Sequence, residues 1–154
     1  MYIHTMECHE QWTPAAGQTE CSASGVPEQA WKDPANASRI QLYDGSIAFA
    51  DCNFGRIRAK LEELGLLENT LILFTADHGY ALGERGEWEH AKAPYLDQIH
   101  IPLIMSWPAG PFAAGRISEN VQTADISATI LDLAGLPNLE ISQGISRSRI
   151  ERMA

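Results

Sequence analysis

Asp77, His78 and Gly79 are consecutive in the sequence and have the makings of a cation site. A carboxylate oxygen and an imidazole nitrogen are both competent ligands for a divalent ion. Adjacent side chains on an extended chain point to opposite faces, so one centre can use both only where the backbone bends. Gly79 permits such a bend because it lacks a Cβ. An aspartate capping a helix beside a surface histidine would read the same way in three letters, so the setting has to decide. The tripeptide follows the apolar run Thr70–Thr75 and opens a long stretch, residues 77–100, rich in charge and histidine. Long loops inside compact domains usually carry function. In open α/β sheets, ligands gather beyond the carboxyl ends of the strands.

The elements that position this tripeptide are legible on both sides. Ile40, Tyr43, Ile47, Ala50, Phe54, Ile57, Leu61 and Leu64 recur at alternating steps of three and four, which predicts one apolar stripe along a long amphipathic helix. Asn36 or Ser38 suits its start, and Gly65 sits where a left-handed terminal residue is expected. Gly45 and Gly55 weaken it by about 1 kcal/mol each. Thr70–Thr75 is apolar on both faces, the pattern of a central parallel strand covered by helices. Ile101–Met105 reads as a second such strand, with Pro102 near its start. Residues 1–6 alternate like a short strand, and residues 7–35 are loop by composition. A further helix is expected from Ala124 to Ala134, carrying Ile126, Ile130, Leu131 and Leu133 and ending at Gly135-Leu136-Pro137. Helix, buried strand and polar loop in alternation indicate an α/β fold.

Composition narrows the function classes. The 154 residues are 45% hydrophobic and 20% charged, ordinary for one globular domain. The longest apolar runs are only strand-length, so no membrane span is expected. A formal net charge of −9 argues against nucleic acid, which demands a basic face. An anionic substrate remains compatible if a metal or local cations reverse the field within the site. Cys8, Cys21 and Cys52 show no metal-ligand spacing, and their odd number excludes full intrachain pairing. A Cys8–Cys21 bridge would suit an exported protein; unpaired small residues are the plainer reading. Residues 1–6 lack the basic start and apolar core of a signal peptide, so localisation stays unassigned.

The run from Asn69 to Gly86, NTLILFTADHGYALGERG, closely resembles the sulfatase family of the alkaline-phosphatase-like superfamily. There, "NT.....SDHG..LG..G" follows a long helix that opens with Tyr and carries a mid-helix Asp, places that Tyr43 and Asp51 fit. Lys92 to Ile104 is similar to the family's "K...Y.....vPLi" segment, Tyr2 to Trp12 to its strand ending in "dpH.Py", and Gln122 to Leu136 to its "DiaPTlLdlaG" helix. The resemblance implies an alkaline-phosphatase-like sandwich, a mostly parallel sheet flanked by helices. The fold would be incomplete: residues 1–145 would form the C-terminal part of the catalytic domain, and 146–154 a tail. It further implies that Asp77 and His78 ligate a divalent cation, calcium by resemblance, with manganese, magnesium or zinc as alternatives. His9 would contact the sulfate and protonate the leaving oxygen, and Lys92 would neutralise the transferring group. Counting forward from Gly86-Glu87-Trp88 instead puts His90 in that last role. Lys92 is preferred because a fixed ammonium suits a sulfate oxygen. Glu84, Arg85 and His100 are expected to shape the loop or lie on the surface.

The implied activity is metal-dependent cleavage of a sulfate ester, a small anionic substrate. A phosphonate monoester or phosphodiester hydrolase of the same superfamily is the alternative, and a non-catalytic truncated scaffold a third reading. The family's nucleophile is a formylglycine made from the Cys or Ser of a C/S-x-P-x-R motif, and none occurs here: Cys8, Cys21 and Cys52 are followed by His9, Ser22 and Asn53. The early Asp pair that completes the family's metal site also has no counterpart. The expectation is therefore a chain inactive alone, whose partner is the missing N-terminal half of the domain. An exported or periplasmic location is compatible with the family.

Overall fold

Ser38 begins the long helix. In the computed structural model its hydroxyl accepts from the Gln41 N–H at 3.3 Å, while the Gln41 side chain accepts from the Ser38 N–H at 2.8 Å. This reciprocal capping box satisfies two donors that a helix start leaves open. Helix α1 runs Arg39–Glu63, capped at Leu64, and Gly65 follows at φ 66°, in the region that glycine enters without penalty. Its apolar stripe is only partly covered. Tyr43 stacks on Tyr80 with ring centroids 5.8 Å apart, and Phe54 meets Phe74 edge-on at 5.4 Å. Ile40, Ile47 and Leu64 remain exposed, and the helix residues that are buried are Gly45 and Ser46.

The structure describes residues 1–6, 8–9, 38–90, 93–112 and 114–148, in two compact units, Met1–Gly110 and Pro111–Ala154. In the first unit α1 leads through a 3-10 turn at Leu67–Asn69 into β1 (Ile72–Thr75). Then come β2 (Ala81–Leu82), β3 (Trp88–Glu89), the single-turn helix α2 (Leu96–Ile99) and β4 (Leu103–Ser106). β1 pairs with β4 antiparallel, Ile72 opposite Ser106 and Thr75 opposite Leu103. β2 and β3 form a second antiparallel pair.

The parallel sheet expected around Thr70–Thr75 is thus corrected to two small antiparallel sheets with helices, a partial α/β arrangement. Apolarity on both faces says nothing of direction, and the covering by helices that it suggests is incomplete, since Phe74 and Thr75 are exposed. The connection from β1 to β4 folds into a short hairpin and one helical turn, with no long helix to carry the chain back to the starting end, so the strand returns antiparallel. Residues 1–6 form no strand: their alternation meets no partner strand among the described residues. The stretch 77–100 is far from structureless, since a 3-10 turn at Glu84–Gly86 closes the β2–β3 hairpin.

Cys8 is a thiol and Cys52 is disulfide-bonded, so the bridge considered between Cys8 and Cys21 is not formed. Pairing follows proximity of Cα positions, which spacing in sequence does not reveal. The loop expected over 7–35 lies, apart from residues 8 and 9, outside the described residues, as does Asn36. Among the described residues no helix is long and apolar enough to cross a membrane.

The second unit is organised by a carboxylate. Helix α3 spans Thr123–Leu133 with Gly135 just beyond it at φ 70°. Its buried residues are Asp125, Ala128 and Thr129. Asp125, only 1% exposed, accepts from the N–H groups of Gln122 (3.3 Å) and Ile145 (2.9 Å) and from Arg147 Nε (2.9 Å). Thr129 Oγ1 donates to the Asp125 carbonyl at 2.6 Å and accepts from the Arg147 N–H at 2.9 Å. Ser146 and Ser148, placed by sequence in the tail, both bond Asp132. The Ile145 N–H lowers the Asp125 carboxyl most; burial opposes it, and Arg147 and Gln122 keep the net below the ordinary value of 3.8.

A depressed folded-state value means that this stabilisation is complete above the unfolded carboxyl range and disappears as pH falls through the folded value. Hydrogen exchange should therefore show α3 amides protected from neutral pH down to about pH 4 and progressively exposed below it. Asp125→Ala should cost about 3 kcal/mol at neutral pH, because it strands Arg147 and two backbone donors. It should also flatten the acid dependence.

Candidate active site

The site is assembled where β1 ends. Gly79 N–H donates to the Gln98 carbonyl at 2.7 Å, and a Cβ at position 79 would fall inside the van der Waals shell of the Asp97 carbonyl oxygen. Glycine is needed here for close approach of two backbones, and the contact lays the Asp77–Gly79 turn against α2. Asp77 Oδ1 accepts from the His78 N–H at 2.9 Å, and its side chain is 72% exposed. Burial raises the Asp77 carboxyl, but the His78 N–H, the His78 ring, its own N–H and His4 outweigh it, leaving the group below the ordinary carboxylate value.

His78 Nδ1 lies 2.8 Å from the Gly79 carbonyl oxygen. A carbonyl only accepts, so Nδ1 carries a proton, and the neutral tautomer that this bond selects has its lone pair on Nε2, the form in which imidazole ligates metals. That Nε2 is 3.9 Å from Asp77 Oδ1. An ionised carboxylate and an oriented imidazole nitrogen at this spacing fit two positions of a cation's shell, and calcium asks for six to eight oxygens. Among the described residues no group of three or more His, Cys, Asp or Glu could hold a metal ion.

The hairpin brings His90 back over the turn. Its ring stacks on His78 with centroids 4.3 Å apart and planes 18° from parallel. His9 meets His90 edge-on at 5.3 Å, and buried Tyr80 flanks it at 5.8 Å. His90 Nδ1 is buried with no hydrogen-bond partner among the described residues. Beneath, burial pushes the Tyr43 phenol up, with Cys8, Asp44 and Tyr80 adding to it. Three of the candidates, His9, His78 and His90, thus share one cluster with Asp77 beside it; Lys92 lies outside the described residues.

Glu84 accepts from the Leu82 N–H at 2.6 Å, in the loop-shaping role expected of it, and His100 is exposed. Arg85 pairs with Asp97 at 2.5 Å and covers the Tyr95 ring at 4.0 Å. Tyr80, Asp97 and Gln98 were not singled out by sequence. Tyr80 had a usable signal, an aromatic directly after the glycine; the other two act through contacts that no local pattern encodes.

Gly79→Ala should be destabilising by about 1–3 kcal/mol, since the added carbon meets fixed backbone and not a yielding side chain. Chemical denaturation reads the loss. The imidazole resonances of His78 and His90 should shift in the same variant, because the turn can no longer lie on α2.

The sulfatase family model matches residues 1–136. N-acetylglucosamine-6-O-sulfatase of Bacteroides thetaiotaomicron is 35% identical over 104 residues, which is 68% of this chain and 18% of the relative. The extracellular sulfatase SULF-1 homolog of Drosophila melanogaster is 35% identical over 91 residues, 59% of this chain and 8% of the relative. A solved structure of a complex with the substrate D-glucosamine-2-N,6-O-disulfate superposes with a TM-score of 0.56 at 29% identity, covering 70% of this chain and 22% of that one. The chain spans less than a quarter of the length of each of these three. With most of its length matched by the family and its fold shared with a solved relative, this chain belongs to the sulfatase family.

Proposed function

We propose that this chain supplies one part of the active site of a metal-dependent sulfuric ester hydrolase. Asp77 and His78 are two of the cation ligands, and His9, His90 and Lys92 surround the sulfate. The observation that carries this reading is the His78–His90 stack: one ring keeps a lone pair on Nε2, and the other buries an Nδ1 with no partner among the described residues. A buried polar atom without a partner is costly, and an anionic oxygen beside His90 would satisfy it.

The cation, when bound, stabilises negative charge on the ester oxygens. The chain's own residues supply the rest. The Gly79 carbonyl fixes the His78 tautomer, and the His78 N–H holds the Asp77 carboxylate in place. His9, exposed at the edge of the cluster, is positioned to give a proton to the leaving oxygen, which develops charge as the ester breaks. His90 donates to a sulfate oxygen, as does the Lys92 ammonium two residues on. The stack on His78 supports His90 in this role. The formylglycine nucleophile and the remaining ligands belong, in this proposal, to the rest of a sulfatase domain that completes the cleft. The disulfide at Cys52 and the extracellular relative support folding in an oxidising, exported compartment.

Calorimetric titration with calcium and with manganese tests the proposal. Two protein ligands should give only weak binding, a Kd of about 1 mM, and Asp77→Ala should abolish it. The chain by itself should hydrolyse neither p-nitrophenyl sulfate nor a phosphodiester. Equal cation binding by the Asp77→Ala chain sinks the ligand assignment, and turnover that depends on His9 sinks the division of the site.

A further inference from the structure

Arg85 adopts φ 57° and ψ 18°, a left-handed conformation uncommon for a residue with a Cβ. Gly83 at φ 107° and Gly86 at φ 74° flank it. Strain of this kind persists only where surrounding contacts over-determine it. Here they are specific: the guanidinium pairs with Asp97 at 2.5 Å and lies over the Tyr95 ring at 4.0 Å. Asp97 is only 16% exposed, and its second oxygen, Oδ1, is buried without a partner among the described residues. Tyr95 caps α2, and Asp97 and Gln98 are the residues against which Gly79 packs. One helical turn therefore receives the Asp77–Gly79 turn on one side and the tip of the His90-bearing hairpin on the other.

We propose that Arg85 and Asp97 are a positioning pair that sets His90 against His78. The inference rests on the functional reading above, in which those two rings face the substrate, and gives Arg85 a role beyond shaping its own loop. With the pair intact, the hairpin tip and the 77–79 turn are fixed to the same support, so the ring separation cannot vary independently at either end. Without it, the hairpin stays closed by its own ladder and by the Glu84 bond, but its angle to the turn is released. A fork that reaches a carboxylate while its flat face covers an aromatic ring is a property of arginine that lysine shares only in charge.

Imidazole NMR on the full chain tests this. Arg85→Gly removes the guanidinium while suiting the left-handed backbone, so the fold should survive. His78 and His90 should lose the upfield shift that a stacked neighbour imposes, while the Phe54 and Phe74 resonances stay in place. Asp97→Asn should reproduce the change, and Arg85→Lys should recover part of it. Unchanged His78 and His90 resonances in both Arg85→Gly and Asp97→Asn overturn the proposal, as does a uniform shift that includes Phe54 and Phe74. Titrating the wild-type chain with inorganic sulfate in calcium-loaded buffer separates this from the functional reading. If His9 and His90 do not respond to sulfate but the Arg85 effect is present, the hydrolase assignment fails and the positioning pair stands.

Discussion

The hydrogen bond from Gly79 N–H to the Gln98 carbonyl is the constraint on which the first unit depends. It joins two backbones directly, so its strength depends little on neighbouring side chains, but its existence requires that position 79 carry no Cβ. Around it a closed circuit forms. β1 delivers the chain to Thr75, the Gly79 turn docks on α2, and α2 leads into β4, whose Leu103 pairs back with Thr75. Thr75 Oγ1 adds a bond to the Pro102 carbonyl at 2.8 Å. Each contact shortens the loop the others must close, so each costs less chain entropy than it would alone.

That circuit explains why some of the structure was legible in the sequence and some was not. Signals carried by consecutive residues came through. The Ser38 cap, the stripe on α1, the left-handed Gly65 and the bend at Gly79 are local decisions of backbone and side chain. Strand direction is not local. Thr70–Thr75 is apolar on both sides of the strand, a composition that suits an antiparallel neighbour as well as a parallel one. The site divides in the same way: Asp77 and His78 announce themselves by type and adjacency. The stacking of His90 on His78 depends on the hairpin, and Arg85 with Asp97 depends on two segments twelve residues apart. The choice between Lys92 and His90 rests on counting from Tyr95 or from Gly86 and on charge chemistry; the hairpin that brings His90 to the turn is not written in either count.

α3 shows the limit of periodicity from another side. Its aliphatic residues predict an apolar buried face, yet Ile130 is exposed, and the residues most fully buried are Asp125 and Thr129. A carboxylate can occupy such a position because three donors converge on it. Removal from water strengthens those bonds as much as it penalises an unmet charge. The sequence marks Asp125 as a residue of the first turn. It does not mark the donors, which arrive from the far end of the unit at Ile145 and Arg147.

For the proposed function, a chain with a net charge of −9 has to tolerate an anion locally, and charge placement supports this. Of five histidines in the sequence, His9, His78 and His90 form the ring cluster and His4 acts electrostatically on Asp77. Two carboxylates of the surrounding loop are already engaged, Glu84 by the Leu82 N–H and Asp97 by Arg85. Asp77, although it accepts from the His78 N–H, faces solvent beside the rings, and an ionised group there repels an anion unless a cation stands between them. The local balance therefore ties the two halves of the proposed chemistry together. In the proposed function the acidity of the chain as a whole is no obstacle, but at position 77 it would make cation binding a precondition for the ester.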